Sequence, residues 1–312
     1  MKLLYFIPKQ LWKTKVSAAR RHQIQAIERH PEVELTISGP GWDNFSGARA
    51  VEKAIKPDIV LAYKPLDIPG YENVKSPKSI SYNECWNVEW TMKEIRQSKS
   101  DIVICHHQID MPRLKNLNKS KHKVVHIPHC AEKTVFKDYG LPKDIDVLYT
   151  GISSKAFYPL RRKFLKHVQP ILKRKGYGFQ IFKHPGYRLK NISQINNHLT
   201  KYAKALNRAK IVVTCTSKYK YPLAKLAEIP LCRTALCCDT PVENREWYNK
   251  WMISVSPEMK PARIAERIIG YLNNPKDLQT KTDLGYEENL KCRTQEYYAH
   301  RFVNICKEYL DG

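Results

Sequence analysis

The sequence predicts an α/β protein made of two doubly wound halves, with helices closing the chain. Three observations carry that prediction. Short apolar runs recur along the 312 residues without clean in–out alternation, as strands buried on both faces of a parallel sheet should. Longer amphipathic, Lys-rich segments separate them, which is the alternation of a helix-covered sheet. The series also pauses once, in the polar stretch HCAEKTVFKDYGLPKD from His129, and then starts again.

Taken in order, the first half offers strands at KLLYFIP (from Lys2), VELTIS (Val33), PDIVLAY (Pro57), KSISY (Lys78), DIVICHH (Asp101) and KVVHIPH (Lys123). KVSAARRHQIQAIERHP and WTMKEIRQSK are helical segments between them. The second half offers IDVLYTG (Ile145), GFQIFKH (Gly178), KIVVTCT (Lys210), TALCCD (Thr234) and MISVS (Met252). Its helices fall at PLRRKFLKHVQPILKRKG, SQINNHLTKYAKALNRA, YPLAKLAEI and KPARIAERIIGYLNN, and the end from Asp277 to Leu310 is helical throughout. The expected division is a Rossmann-like domain over 1–137 and a second Rossmann-like domain over 138–290. A terminal helix over 291–312 is expected to pack back on the first domain. Ligands of such folds bind at the carboxyl ends of the strands, here in a central cleft between the halves.

The totals set limits. Hydrophobic residues are 42% and charged residues 27%, enough for a substantial core and unlike a disordered chain. Lys plus Arg is 54 against 30 Asp plus Glu, a formal charge of +24 that favours anionic partners such as phosphates, nucleic acid or an anionic membrane surface. No run is long enough to span a bilayer, and the N-terminus reads as a first strand in place of a signal peptide. The nine cysteines are scattered through apolar runs, so buried thiols in the cytoplasm are expected instead of disulfides.

One segment, KLAEIPLCRTALCCDTP from Lys225, places an isolated carboxylate, Glu228, three residues after a lysine at a helix start. That start follows a strand, where unpaired N–H groups attract phosphate. A lysine there suits a diphosphate, and a carboxylate one turn on suits the two hydroxyls of a ribose. A solvated i, i+3 ion pair explains the same spacing equally well.

This segment resembles the donor site of GT-B glycosyltransferases, in particular the CgeB-like group of the GT4-type superfamily. HIPHCAEKTVF (His126 to Phe136) resembles their interdomain linker, and DIDVLYTGISSKAFYPLRRKFL resembles the first strand and glycine loop of their nucleotide domain, with an Arg opening the next helix. The resemblance implies that Glu228 binds the donor ribose, that Lys225 lies by the diphosphate, and that Gly151 lets the backbone approach it. Ser153 and Arg161 become phosphate contacts. His184 and Tyr187, in FKHPGYR, line the base pocket or else form an ordinary turn.

The chain departs from the family pattern in three places. Arg233 stands where a glycine is usual, and either crowds the turn or adds a phosphate contact. Lys220 replaces the first of two glutamates eight residues apart. FIPKQLWKTK replaces a Gly-Gly loop after the first strand.

In the first half, Glu84 and His107 are the candidate catalytic residues, with His106 and Asp110 beside them, because their segments follow strands. Trp86 and Trp90 suit a sugar-stacking platform or the core. His106, His107, His126, His129, Cys130, Cys237 and Cys238 lack zinc-binding spacings, so no metal is expected. The reading is therefore transfer of a sugar from a UDP- or GDP-sugar to the hydroxyl of a glycan or other acceptor, retaining and metal-independent, with no tightly bound cofactor. The alternatives are a basic nucleic-acid-binding protein, a DNA-modifying glycosyltransferase, and a GT-B protein that binds nucleotide sugar without turnover.

Overall fold

Each apolar run singled out above forms a strand, and each pairing among the described residues is parallel. The computed structural model describes residues 1–15, 18–83, 85–116, 122–184 and 191–312. Glu84 and Tyr187, two of the sequence-derived site residues, lie outside the described residues.

The chain divides into two compact units, residues 1–129 with 295–312, and residues 130–294. In the first, β1 (Lys2–Phe6), β2 (Glu34–Ser38), β3 (Ile59–Ala62), β4 (Lys78–Tyr82), β5 (Ile102–Cys105) and β6 (Lys123–His126) form a sheet in the order β2-β1-β3-β4-β5-β6. The missing alternation in KLLYF has a direct cause: Leu3, Leu4, Tyr5 and Phe6 are all at 0% exposure, so neither face of β1 meets water. Helices α1 (Ala18–Glu28), α2 (Ala48–Ile55), α3 (Val88–Ser98) and α4 (Met111–Asn116) lie between these strands in the chain. Asn87 caps α3 by accepting from the Trp90 N–H at 3.1 Å. Trp86 and Trp90 are about half exposed and not part of the core, because they sit where α3 begins, outside the apolar stripe Met92–Ile95.

In the second unit, β7 (Ile145–Thr150), β8 (Phe179–Phe182), β9 (Ala209–Val213), β10 (Ala235–Asp239) and β11 (Ile253–Val255) are ordered β11-β10-β9-β7-β8. The helix α5 (Pro159–Lys163) runs through a π-helical turn into α6 (Gln169–Arg174). It is followed by α7 (Ile192–Arg208), α8 (Lys225–Leu231), α9 (Arg245–Trp251), α10 (Pro261–Leu272) and α11 (Pro275–Cys292). Two cores flank this sheet, one under α7 and α8 around Leu148, Leu206 and Leu236, the other under α5, α6 and α10 around Val147, Phe164 and Ile264.

The helical end of the chain is two helices, not one. The break falls at Arg293–Thr294, where Ala131 bridges to Thr294 and its N–H donates to the Arg293 carbonyl at 2.8 Å. The last helix, α12 (Gln295–Leu310), returns to the first unit and packs on α1. Lys307 pairs there with Glu32, and Lys123 reaches Glu308 at 3.5 Å. All nine cysteines are free thiols. Among the described residues, no helix is long and apolar enough to cross a membrane.

Candidate functional site

The carboxyl ends of β7 and β8, with the start of α8, bring together residues that lie far apart in the chain. Gly151 ends β7 with φ +105°, a conformation that glycine adopts at little cost. The space beside it is already taken. A Cβ there would stand 2.8 Å from Arg161 Nη1 and 3.4 Å from Lys225 Cε. One glycine therefore lets an arginine from α5 and a lysine from α8 pack against the same turn.

Arg161 is buried. Its Nε donates to Thr214 Oγ1 at 3.1 Å, Nη1 reaches the Ile152 carbonyl at 3.5 Å, and the guanidinium lies 4.2 Å from the centre of the Tyr158 ring. Lys225 is half-buried; its ammonium donates to the Tyr202 hydroxyl at 2.9 Å and to Thr150 Oγ1 at 3.5 Å. Burial pulls the Lys225 pKa down to about 8, with Glu228 opposing the shift and Arg161 adding to it. Burial conversely raises the Glu228 carboxyl, although Lys225, a hydrogen-bond interaction with Tyr202, and Arg161 all favour its ionised form. Partial desolvation, then Lys225 and Arg161, lower the His184 imidazole. His198 on α7 is lowered by burial and by His184, Lys225 and Lys201. The turn thus gathers Arg161 and Lys225 near a single carboxylate, with His184 and His198 close enough to feel the Lys225 charge. Such an arrangement binds an anion and offers a separate acceptor for hydroxyl groups.

Ser153 lies two residues after Gly151 and is half-buried. Arg233 does not join it. That residue stands beyond the far end of α8, about 12 Å along the chain axis from Lys225. Its Nη1 is 2.7 Å from Asp283, its Nε is 3.8 Å from Asp138, and it stacks over Tyr286. The phosphate contact expected of Arg233 is replaced by this carboxylate pairing. Its backbone, with φ 50°, accounts for the glycine usual in the resembling segment. Lys220 is also occupied: it pairs at 3.1 Å with buried Asp239, which accepts the Thr216 N–H at 2.8 Å, so the β9–α8 loop is tied to the end of β10.

Tyr202 is the residue that sequence reasoning missed. It occupies the buried stripe of α7, with Ala203 and Leu206, and reads as core. The available signal was a hydroxyl placed on a mostly apolar face. A second missed feature is charge distribution: between Asp146 and Glu228 the chain has no Asp or Glu and 18 Lys or Arg.

The first unit treats its candidates differently. His107 is at 0% exposure, edge-on to His129 at 5.1 Å. His106 stacks on His129 at 4.4 Å, with Nδ1 2.8 Å from the Ile127 carbonyl and Nε2 3.3 Å from Gln23. Burial takes its pKa down to about 3, so it is neutral. Asp110 is buried too and accepts the Cys85 N–H at 3.1 Å. Among the described residues no group of three or more His, Cys, Asp or Glu could hold a metal ion.

Solved structures share the architecture from end to end. A sucrose-phosphate synthase from Thermosynechococcus elongatus superposes with a TM-score of 0.66 at 10% identity, over 100% of this chain and 99% of that one. The fold is GT-B. A glycosyltransferase from Rickettsia africae ESF-5 matches this GT-B chain with a TM-score of 0.64 at 14% identity, covering 99% of this chain and 98% of the other. HepE from Anabaena, in complex with UDP, matches at 0.62 and 11% identity over 99% and 100%. No family model matches the sequence, and none of the curated proteins is similar to it.

Proposed function

We propose that this GT-B protein transfers a sugar from a nucleoside diphosphate sugar to an acceptor hydroxyl. The observation that carries the reading is the convergence on Gly151 of Arg161 and Lys225, with Glu228 one turn along α8. Arg161 and Lys225 take the diphosphate, Glu228 takes the ribose hydroxyls, and His184 stands on the base side. A uridine nucleotide is favoured, since HepE binds UDP and UDP-glucose within the same fold; a GDP-sugar is the second choice.

In the reaction the bond between the sugar C1 and the diphosphate oxygen breaks, its electron pair leaves on that oxygen, and the acceptor oxygen bonds to C1. Two cations held in place before reaction stabilise the departing charge without reorganisation. The reading is retaining and metal-independent, with the acceptor's proton passing to the leaving diphosphate. The acceptor belongs to the first unit, in the tract around Glu84. An anionic acceptor or an anionic membrane surface fits the charge, most of which lies in the second unit.

Thermal shifts with UDP, GDP, ADP, CDP and TDP test the donor class, followed by mass analysis of products from the matching sugar nucleotide. One nucleotide should raise Tm by mass action. Salt-sensitive stabilisation by duplex DNA with no nucleotide effect would support the nucleic-acid alternative instead. Nucleotide binding with no product from any acceptor would mark a protein that binds without turnover.

A further inference from the structure

Lys225 and Glu228 stand at i, i+3 on one helix, a spacing at which opposite charges normally close. Elsewhere in this chain they do: Arg49 pairs with Glu52, Arg263 with Glu266 at 3.1 Å, and Lys291 with Glu288 at 2.7 Å. On α8 no such pair forms, although both side chains are half-buried. The Lys225 ammonium instead sits 2.9 Å from the Tyr202 hydroxyl and 4.5 Å from the centre of its ring. Burial, then the nearby Glu228 charge, raise that hydroxyl's pKa well above its ordinary value. Its ring is held in place by Phe136 at 6.0 Å and Phe182 at 5.3 Å, within the core beneath α7 and α8.

We propose that Tyr202 is a positioning residue that keeps the Lys225 ammonium from closing onto Glu228, leaving both charges available to one ligand. This rests on the reading of the site as one for a nucleoside diphosphate. A closed ion pair would have to break before a diphosphate could use the lysine and a ribose the carboxylate. A neutral hydroxyl that accepts from the ammonium holds it in place without cancelling its charge. The ring also gives the ammonium a cation–π face on its desolvated side. The depressed Lys225 and raised Glu228 agree with two charges that do not fully compensate each other. The other groups facing them are Arg161 on α5, His184 after β8, and His198 on α7.

The test is a double-mutant cycle on Tyr202→Phe and Glu228→Gln, read in two ways. Tyr202→Phe keeps the ring and its packing. In the ligand-free protein, NMR titration of the Lys225 side chain should show its pKa rising in Tyr202→Phe, as the pair closes, and falling back in the double variant. With UDP, Tyr202→Phe should weaken binding about tenfold in the wild-type background and less than about twofold in the Glu228→Gln background. Lys225 titrating alike in wild type and Tyr202→Phe, or an equal UDP penalty in both backgrounds, overturns the proposal. The titration needs no nucleotide, so it decides the role of Tyr202 even if UDP fails to bind and the donor reading falls.

Discussion

The carboxyl end of the second sheet and that of the first handle polar side chains in opposite ways. Around Gly151, cations are packed together with one carboxylate, and their charges are held apart. Around His107, rings are packed on one another and closed to solvent, and burial keeps His106 neutral. Both groups are at least partly buried and rich in titratable residues, so residue type alone does not distinguish binding chemistry from internal packing. Uncompensated charge does. Like charges gathered in a partly dry site cost free energy unless a counter-charge arrives, whereas the neutral His106 ring, held by Ile127 and Gln23, needs nothing more.

The contrast can be broken most easily at Lys225. Lys225→Ala should weaken UDP on the order of thirtyfold by removing a charge-assisted contact, and calorimetry reads this directly. The pH dependence follows from its pKa of about 8. UDP affinity should fall as pH rises through 8, because the ammonium loses its proton. The ligand-free fold should behave in the opposite sense: its lysine binds fewer protons than the unfolded chain above pH 8, so this group's contribution to stability rises with pH there. A Lys225→Arg variant should retain its affinity at pH 9.

Gly151→Ala should come next. A methyl group against Arg161, on a backbone with positive φ, should cost about 2 kcal/mol of stability. It should also weaken UDP by displacing both cations. Chemical denaturation and calorimetry on the same sample separate the two effects.

That glycine also shows what was legible in the sequence. Strand position could be read because β7 and β9 are buried along nearly their whole length and so carry few polar residues. Once those strands are parallel, the turns after them must gather at one end, and Gly151 and Lys225 follow from topology. Tyr202 could not be read this way, since its role depends on which atom of a core tyrosine faces α8. The surroundings of Arg233 were hidden for a related reason: the sequence shows a missing glycine, but only the fold shows Asp138 and Asp283 at that corner. Trp86 and Trp90 have apolar side chains but no helix face directed inward.

On the other side of the comparison, His107→Asn should leave UDP affinity within about twofold and lower Tm, because it replaces a packed ring with a smaller polar group. A large loss of UDP affinity with Tm intact would erase the distinction between the two ends. The smallest effect belongs to Arg233→Gly. Relief of the left-handed backbone, about 1 kcal/mol, should nearly offset loss of the partly exposed Asp283 pair and the Tyr286 contact. Both stability and UDP affinity should therefore change little.

The central claim, that the Gly151 turn is a nucleotide site with its ribose contact at Glu228, is tested most directly by calorimetric titration of UDP into wild type and Glu228→Ala. The account predicts saturable one-to-one binding to the wild type and its loss in a variant that still unfolds cooperatively. Equal UDP affinity in both proteins would contradict it.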